Sequence, residues 1–331
     1  MPLYEFRYAP YVWRLLNGVF CVYKPHNKSI QSTRRSLLSK LCDDLNAMEC
    51  RPARELVHIS GQLSSGESLT VETKPSFADN PLVVGQRYQP QDISLTIANN
   101  PGFFASGVVI AFIGKAAKKM YDFQRGQHLR VYEIKGRFGF ATNNFRSDGR
   151  IVEKSRFKHV TDVHIGRVIS KIQASHQTLM FKTMGVDLKS EEAYEMAAKG
   201  MIRPAIRKTT PVIYGIRLTD FSSPDFTLEV QCINEFDEFL VGLIHEIGLK
   251  LRTSAMCTRL RVIRYGPFTV ENSLLLKHWT CEHIIDNIQT CEQLLKPQFF
   301  EPLSPVLSDP TALSDHEIFL ETLKKSGEII K

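Results

Sequence analysis

The sequence predicts a globular protein of the α+β class. Segments in which apolar and polar residues alternate, typical of strands, are interspersed with segments of helical period, and no regular strand–helix–strand repeat connects them. Apolar residues make up 43% and charged residues 23% of the 331 residues, a balance typical of chains with a sizeable core. At about 150 residues per domain, the length allows two domains, or one large domain with a tail.

The first predicted elements are short strands and helices. Gly18 to Tyr23 predicts a strand that ends at Lys24-Pro25, because proline cannot donate to a sheet. A helix is predicted around Arg34 to Asn46, and the Gly- and Ser-rich stretch Ser60 to Pro75 predicts a loop or hairpin. The next predictions are a strand at Val108 to Ile113, a helix from Lys115 to about Phe123 and a strand at Leu129 to Ile134.

Two helices follow in the middle of the chain. Thr161 to Ala174 has isoleucines on one helical face and predicts the first. Ser190 is a good N-cap for the second, which is predicted to run to Lys199 with Gly200 as its C′ residue.

The next segments alternate between strand and helix. Phe226 to Cys232 predicts a half-buried strand, and the apolar spacing from Phe236 to Ile247 predicts a helix that ends at Gly248. Leu260 and Val262 alternate with two arginines, which places the arginines on one face of a strand. After these come a Pro-rich linker over residues 297–310 and a short helix with a capping box formed by Ser314 and Glu317.

The charge distribution is uneven. Residues 101–150 hold nine basic against three acidic residues, a net +6, and a second basic run without acids covers residues 250–264. Residues 281–331 hold four lysines and nine acids, a net −5. Two basic segments indicate a polyanionic partner such as nucleic acid, whereas an ordinary solvated charged face is the alternative.

Cysteine usage, hydropathy and the N-terminal residues indicate in which cellular compartment the protein is expected. Seven scattered cysteines, none in a C-x-x-C pair, indicate free thiols in a reducing compartment and fit no standard zinc spacing. The longest apolar run, Phe103 to Ile113, is shorter than the roughly 20 residues that span a bilayer. Residues 1–16 contain Arg7 and Arg14 among aromatic and apolar residues, and are predicted as an N-terminal extension compatible with mitochondrial targeting.

Several motifs, in order along residues 17–276, resemble one family. The opening strand with its Lys24-Pro25, the segment Ala105-Ser-Gly107-Val108, and Tyr132 followed by Gly139, Thr142 and Asp148-Gly149 all fit its pattern. Further matches are Gln173, Lys182, Ala193-Tyr194-Glu195-Met-Ala197 followed by Gly200, and Arg264-Tyr-Gly266-Pro-Phe268. The chain resembles the TruB-type pseudouridine synthases, and is most similar to their animal mitochondrial branch.

This resemblance implies a chemistry and a set of residues. The family isomerises uridine in RNA with an essential Asp carboxylate, an Arg that keeps it ionised and a Tyr that stacks on the flipped-out base, without metal or organic cofactor. Tyr132 stands at the place of the stacking tyrosine, with an ordinary strand tyrosine as the alternative. Lys24 fits a place near the pocket or an RNA phosphate, with a solvated lysine at a strand end as the alternative.

Two family residues are missing. Gly102 stands where the family places the catalytic Asp, after Pro101 in place of a leucine, and Val241 stands where it places the Arg. Losing both halves of an ion pair is coherent, because either charge alone would be costly in a buried pocket. The preferred interpretation is an RNA-binding relative without catalytic activity, a pseudoenzyme.

Two alternatives stay open, an active synthase that uses an unidentified carboxylate and a pure protein-interaction module. Residues 17–276 would form a synthase-like domain on a central mixed sheet, and residues 277–331 an acidic helix, linker and tail with no room for a PUA domain. The branch implies the mitochondrial matrix, with mRNA, rRNA or tRNA and other RNA-processing proteins as partners. The predicted RNA-binding residues are Lys24, Lys115, Lys118, Lys119, Arg130, Arg259, Arg261 and Arg264.

Overall fold

A computed structural model of the protein describes most of the chain. The described residues are 7–50, 54–61, 69–77, 80–191, 193–195, 201–202, 211–300 and 306–307. The predicted capping box at Ser314 and Glu317, most of the acidic tail and the end of the helix predicted up to Gly200 lie outside these residues.

A mixed β-sheet forms the centre of the fold, as predicted. Its strands are β1 Gly18–Lys24, β4 Leu95–Ile97, β5 Ser106–Ile113, β6 Arg130–Phe138, β10 Val212–Ser222, β11 Asp225–Ile233, β12 Ala255–Tyr265 and β13 Phe268–Thr269. They lie in the order β1-β5-β12-β6-β11-β10, with β4 added to β5 and β13 added to β12. All neighbours pair antiparallel except β5 and β12, which run parallel.

Six further strands form small two-stranded pairings. The predicted hairpin near residue 60 is present as β2 and β3, and both of its faces are exposed. The pairs are β2 Glu55–Ser60 with β3 Thr70–Pro75, β7 Phe140–Thr142 with β8 Ile151–Lys154, and β9 Met201–Ile202 with β14 Val306–Leu307.

Helices cover both faces of the central sheet. The α-helices are α1 Ala9–Leu15, α2 Ile30–Ala47, α3 Pro81–Val84, α4 Met120–Arg125, α5 Asp162–Met184, α6 Asp237–Lys250 and α7 Cys281–Leu294, and a 3₁₀ helix at Gly114–Lys119 precedes α4. One apolar cluster joins the sheet to α5 and α6, and a second joins β1, β4 and β5 to α1, α2 and α7. A mixed sheet with helices packed on both faces confirms the α+β class.

Side-chain caps start the two long helices, and α2 begins four residues before its predicted start near Arg34. The Ser29 hydroxyl accepts from the backbone N–H of Ser32 at 3.1 Å and caps α2. Thr161 caps α5 in the same way, through the N–H of His164, and Gly185 in the left-handed region ends it. The helix therefore runs ten residues beyond its predicted end at Ala174, because no terminating residue comes earlier.

The predicted end of α6 at Gly248 is wrong. The helix continues to Lys250, and Gly248 is buried inside it. A Cβ atom at Gly248 would lie 2.6 Å from the backbone nitrogen of Ala255, so the glycine permits close packing of α6 on β12. The sharp reversal falls instead at Arg252, which has a positive φ of 57°.

Gly107 fixes the point where β5 enters the sheet beside β12. Its φ is +117°, and a Cβ atom there would overlap the carbonyl oxygen of Val262. Only glycine combines this backbone conformation with this approach. The contact determines where the loop before β5 leaves the sheet.

The first helix and the segment just before α7 both pack on the second apolar cluster. Ala9 and Val12 of α1 are fully buried, and so is Trp279 just before α7. The domain boundaries at residues 16 and 276 and the lack of a PUA domain stay predictions. All seven cysteines are free thiols, as predicted. No helix in the described ranges has both the length and the apolarity that crossing a membrane requires.

The acidic tail gives the first testable prediction. Phe299 lies 5.3 Å from His128 and Phe300 lies 6.1 Å from Phe123, measured between ring centroids, so the stretch predicted as a linker packs on the core at its start. Truncation after Phe300, rather than after Lys296, should leave Tm nearly unchanged in differential scanning fluorimetry. Since it removes acidic residues, it should tighten RNA binding at low salt. Unfolding after this truncation would show that the tail is part of the core.

Candidate functional site

A cavity of about 290 Å³ opens where the loop before β5 meets β6, β12 and the start of α6. We call it the Tyr132 pocket. Its lining is Asn99, Asn100, Pro101, Gly102, Arg130, Tyr132, Glu235, Phe236, Asp237, Glu238 and Val262. The volume is near the lower limit of small-ligand sites.

Asn99 anchors the loop that forms one wall of the pocket. Its side-chain amide donates to the carbonyl of Val108 at 2.9 Å and accepts from the N–H of Ile110 at 3.0 Å. Asn99 thereby pairs with β5 through its side chain, and Pro101 and Gly102 follow at the pocket wall. The loop is held from both ends, because Phe103 also accepts from the N–H of Asn27.

Lys24, at the end of β1, holds the same loop from inside the protein. The side chain is fully buried, and its ammonium donates to the carbonyl of Gly102 at 2.9 Å and to that of Ala105. Burial lowers the pKa of Lys24 to about 8, against the attraction of Asp237, which raises it. The structure thus places Lys24 behind the pocket wall, bonded to backbone carbonyls.

Arg130, Tyr132 and Glu235 form a hydrogen-bonded network on one side of the pocket. Arg130 and Tyr132 share a face of β6 because they are two residues apart. The guanidinium of Arg130 and the hydroxyl of Tyr132 each donate to Oε1 of Glu235 at 2.6 Å. The Arg130 guanidinium also lies over the ring of Tyr265, 4.5 Å from its centroid.

Tyr132 lies in the pocket wall with its hydroxyl already bonded. Burial, and after it the charge of Glu235, raise the pKa of Tyr132 well above its ordinary value, so the phenol is neutral and donates. Only 5% of the residue is exposed. The predicted stacking of a base on Tyr132 stays a prediction.

Asp237, the first residue of α6, directs its carboxylate at Gly102. Oδ2 accepts from the backbone N–H of Gly102 at 2.9 Å. A Cβ atom built on Gly102 would lie 2.5 Å from this oxygen. The carboxylate of Asp237 therefore occupies the space into which any side chain at position 102 would extend.

The environment of Asp237 partly opposes its charge. Burial raises its pKa, while the hydrogen bond from Gly102 and the ammonium of Lys24 lower it, and the net pKa is above the ordinary value. Val241, where the resemblance places an arginine, is four residues further on the same face of α6 and is 3% exposed within the main apolar cluster. The pocket therefore contains a carboxylate with no arginine opposite it at position 241.

Most of the predicted RNA-binding residues lie outside the pocket. Lys115, Lys118 and Lys119 are exposed on the 3₁₀ helix after β5. Arg259, Arg261 and Arg264 are half-buried along β12, and Arg261 pairs in register with Ser106 at the start of β5. Arg130 differs from the others, because it lies in the pocket and pairs with Glu235.

The three acidic residues of the pocket lining, Glu235, Asp237 and Glu238, were not predicted from the sequence. Acidic residues at the start of a predicted helix look like ordinary partners of the helix dipole. A signal was available only in three dimensions, because Gly102 and Asp237 are 135 residues apart in the chain.

Comparisons with known proteins agree with these motifs. The family described as "TruB family pseudouridylate synthase (N terminal domain)" matches residues 103–236. The "Pseudouridylate synthase TRUB2, mitochondrial" of Xenopus tropicalis is 37% identical over 290 residues, covering 86% of this chain and 88% of the relative. Its human counterpart is 36% identical, covering 88% of this chain and 89% of the relative. A chain of the crystal structure titled "Crystal structure of the archaeal box H/ACA sRNP Nop10-Cbf5 complex" covers 88% of this chain and 60% of its own length at a TM-score of 0.42 and 14% identity, which is too distant to add to the family evidence.

Proposed function

This chain belongs to the TruB family of pseudouridine synthases, and from that premise we propose that it is an RNA-binding member of the family without catalytic activity. One observation carries the proposal: position 102, where the family has its essential carboxylate, is a glycine. Glycine offers no nucleophile, acid or base. Val241, in place of the arginine, removes the second half of the family's ion pair.

The packing around Val241 supports the loss of activity. Its side chain contributes to the main apolar cluster and is almost fully buried, so position 241 now serves the core. The carboxylate of Asp237 lies near the position of the missing group, but burial raises its pKa, and no arginine stands at 241 to oppose that rise.

The distribution of exposed cations supports RNA binding. The three exposed lysines after β5 and the three arginines of β12 belong to the two basic segments of the sequence. Arg261 lies beside the loop that forms the pocket wall, in register with Ser106. Cations on a protein surface neutralise phosphates and release counterions, which makes such binding electrostatic.

Location and partners follow from the relatives. Both relatives compared above are named mitochondrial, which supports a mitochondrial location, in the matrix, for this chain. We propose mitochondrial mRNA, rRNA or tRNA as its ligands, and other RNA-processing proteins of that compartment as partners.

A second candidate function is an active synthase that uses Asp237 as its carboxylate. The observation in its favour is the 2.9 Å contact between Asp237 and the backbone of Gly102, beside the ammonium of Lys24. Mass spectrometry of nucleosides from RNA treated with the native protein separates the two candidates. Pseudouridine formation that Asp237→Asn abolishes would establish the second.

RNA binding itself gives a prediction about salt and charge. Each phosphate contact should contribute about −0.9 for a duplex, or −0.7 for a single strand, to the slope of log affinity against log salt. Arg259→Glu with Arg261→Glu should flatten this slope and weaken binding by more than about tenfold at low salt, alike for all sequences. Filter binding measures both quantities. Arg217→Glu is the control, since Arg217 is exposed on β10, three strands from β12 in the sheet, and pairs with Glu229.

A native protein with no measurable affinity for structured RNA at low salt would contradict the proposal. An equal effect of the control and the double variant on RNA affinity would show that β12 is not part of the RNA-binding surface.

A further inference from the structure

We propose that Asp237 is the residue through which the Tyr132 pocket binds one unpaired nucleotide of the RNA, by accepting a hydrogen bond from an O–H or N–H group of that nucleotide. The inference rests on the proposed RNA binding and requires no catalytic step. It assigns a role to a carboxylate that lies outside the family motifs named in the sequence analysis.

The position of Asp237 is the first argument. Its carboxylate lies 2.5 Å from the site of a Cβ atom on Gly102, so it reaches the place from which a side chain at 102 would project into the pocket. The residue is partly exposed and lines the cavity together with Pro101 and Val262. A carboxylate missing from the loop before β5 is thus replaced in space by one from a helix.

The carboxylate of Asp237 has hydrogen-bond acceptor positions that no protein group fills among the described residues. An ionised carboxylate offers about four lone-pair positions, and among the described residues only the N–H of Gly102 donates to Asp237. The ammonium of Lys24, the nearest cation, donates to the carbonyls of Gly102 and Ala105. A partly buried carboxylate with free acceptor positions favours a ligand that donates.

Glu235 adds an independent observation. Its side chain is fully buried, and Oε1 accepts from both Arg130 and Tyr132. No N–H or O–H group of the described residues donates to Oε2, and the further donor beside this carboxylate, besides Arg130 and Tyr132, is the weakly donating thiol of Cys232. A buried acceptor without a strong donor is costly unless a ligand or water satisfies it. Glu235, Asp237 and Glu238 together make the side of the pocket next to α6 acidic.

Unpaired nucleotides in RNA provide the matching donors. The ribose 2′-hydroxyl and the N3–H of uracil both donate and are accessible only when the nucleotide leaves the stack. The carboxylate accepts from either, and two modified RNAs distinguish the sources.

The experiment is a binding titration with a hairpin RNA that has one unpaired uridine. Asp237→Asn retains an oxygen that can accept from Gly102, so the loop contact is kept. Removing a negative charge should by itself tighten RNA binding. Loss of the hydrogen bond that the nucleotide donates to Asp237 should weaken binding by about tenfold. Glu246→Gln is the matched control, because it removes the same charge from the exposed side of α6, where Glu246 pairs with Lys250. This variant should bind as tightly as the native protein or more tightly.

Two modified hairpins identify the donor without any protein variant. One of the two modifications at the unpaired position, 2′-deoxyuridine or 3-methyluridine, should lower the affinity of native protein by about tenfold. Asp237→Asn should bind that modified hairpin as tightly as it binds the unmodified hairpin. A fully paired duplex should bind Asp237→Asn as tightly as native protein or more tightly, because only the charge effect remains.

Three results would overturn the proposal. They are an Asp237→Asn protein that binds the hairpin as tightly as Glu246→Gln, full affinity of native protein for both modified hairpins, or an equal loss with the duplex. Each requires that native protein binds the unmodified hairpin, so these failures are distinct from a failure of RNA binding as a whole.

Discussion

Pseudouridine should form only when the missing pair is rebuilt and Asp237 is removed together with it. The native protein and Gly102→Asp alone are expected to convert no uridine. The combination of Gly102→Asp, Val241→Arg, Pro101→Leu and Asp237→Ala should give a rate at least about 100-fold above the assay background seen with Gly102→Asp, because a misplaced catalytic group can cost that factor. Tritium release from uridine-labelled RNA measures the rate.

Each change in this combination has a physical reason. A carboxylate at 102 without the arginine would have a raised pKa and would be partly protonated. It would also meet Asp237, whose Oδ2 lies 2.5 Å from the new Cβ atom. Pro101 restricts the conformation of Asn100, so a leucine allows the loop to adopt the family's geometry.

The matched control keeps Asp237 while changing the other three positions. It should remain far less active, since two carboxylates would compete for one arginine. Robust turnover by the native protein would overturn the pseudoenzyme interpretation, and Asp237 would then be the first residue to replace.

Gly107→Ala should severely destabilise the fold, although it adds only one methyl group. The left-handed φ of +117° costs about 1–3 kcal/mol for a residue with a side chain, and the new Cβ would overlap the backbone oxygen of Val262. A backbone oxygen cannot rotate away as a side chain can, so β5 and β12 must separate. A loss of about 3 kcal/mol or more is expected in urea unfolding.

Gly166→Ala provides the control for this measurement. Gly166 lies inside α5, and its added Cβ would meet no atom within 4 Å. Alanine there should raise the free energy of unfolding by about 0.5–1 kcal/mol, because it favours helix. Equal stability of the two variants would contradict the role assigned to the β5–β12 contact.

The sequence predicted the elements well wherever their pattern is local. The alternation at Phe226 to Cys232 and the helix start at Thr161 depend on neighbours in the chain, and the structure has a strand and a helix there. The end of α6 was wrong because Gly248 serves a contact with Ala255, which no local pattern reveals.

The composition of the pocket could not be predicted in the same way. Glu235 and Asp237 reach it from the turn between β11 and α6, and Arg130 pairs there with Glu235 instead of lying on an open basic surface. Such pairings depend on the register of β6 with β11, which aligns Arg130 with Cys232. Register between strands about a hundred residues apart is a property of the folded sheet.

The contact between Gly102 and Asp237 also couples the residues that the two positions can hold. Carboxylates at both would place two like charges in contact within a partly buried space, which is unfavourable. Under the proposed absence of the family's aspartate at 102, a single substitution does not restore that aspartate favourably, because Asp237 already holds a carboxylate beside this position. Two positions 135 residues apart in the chain therefore have to change together.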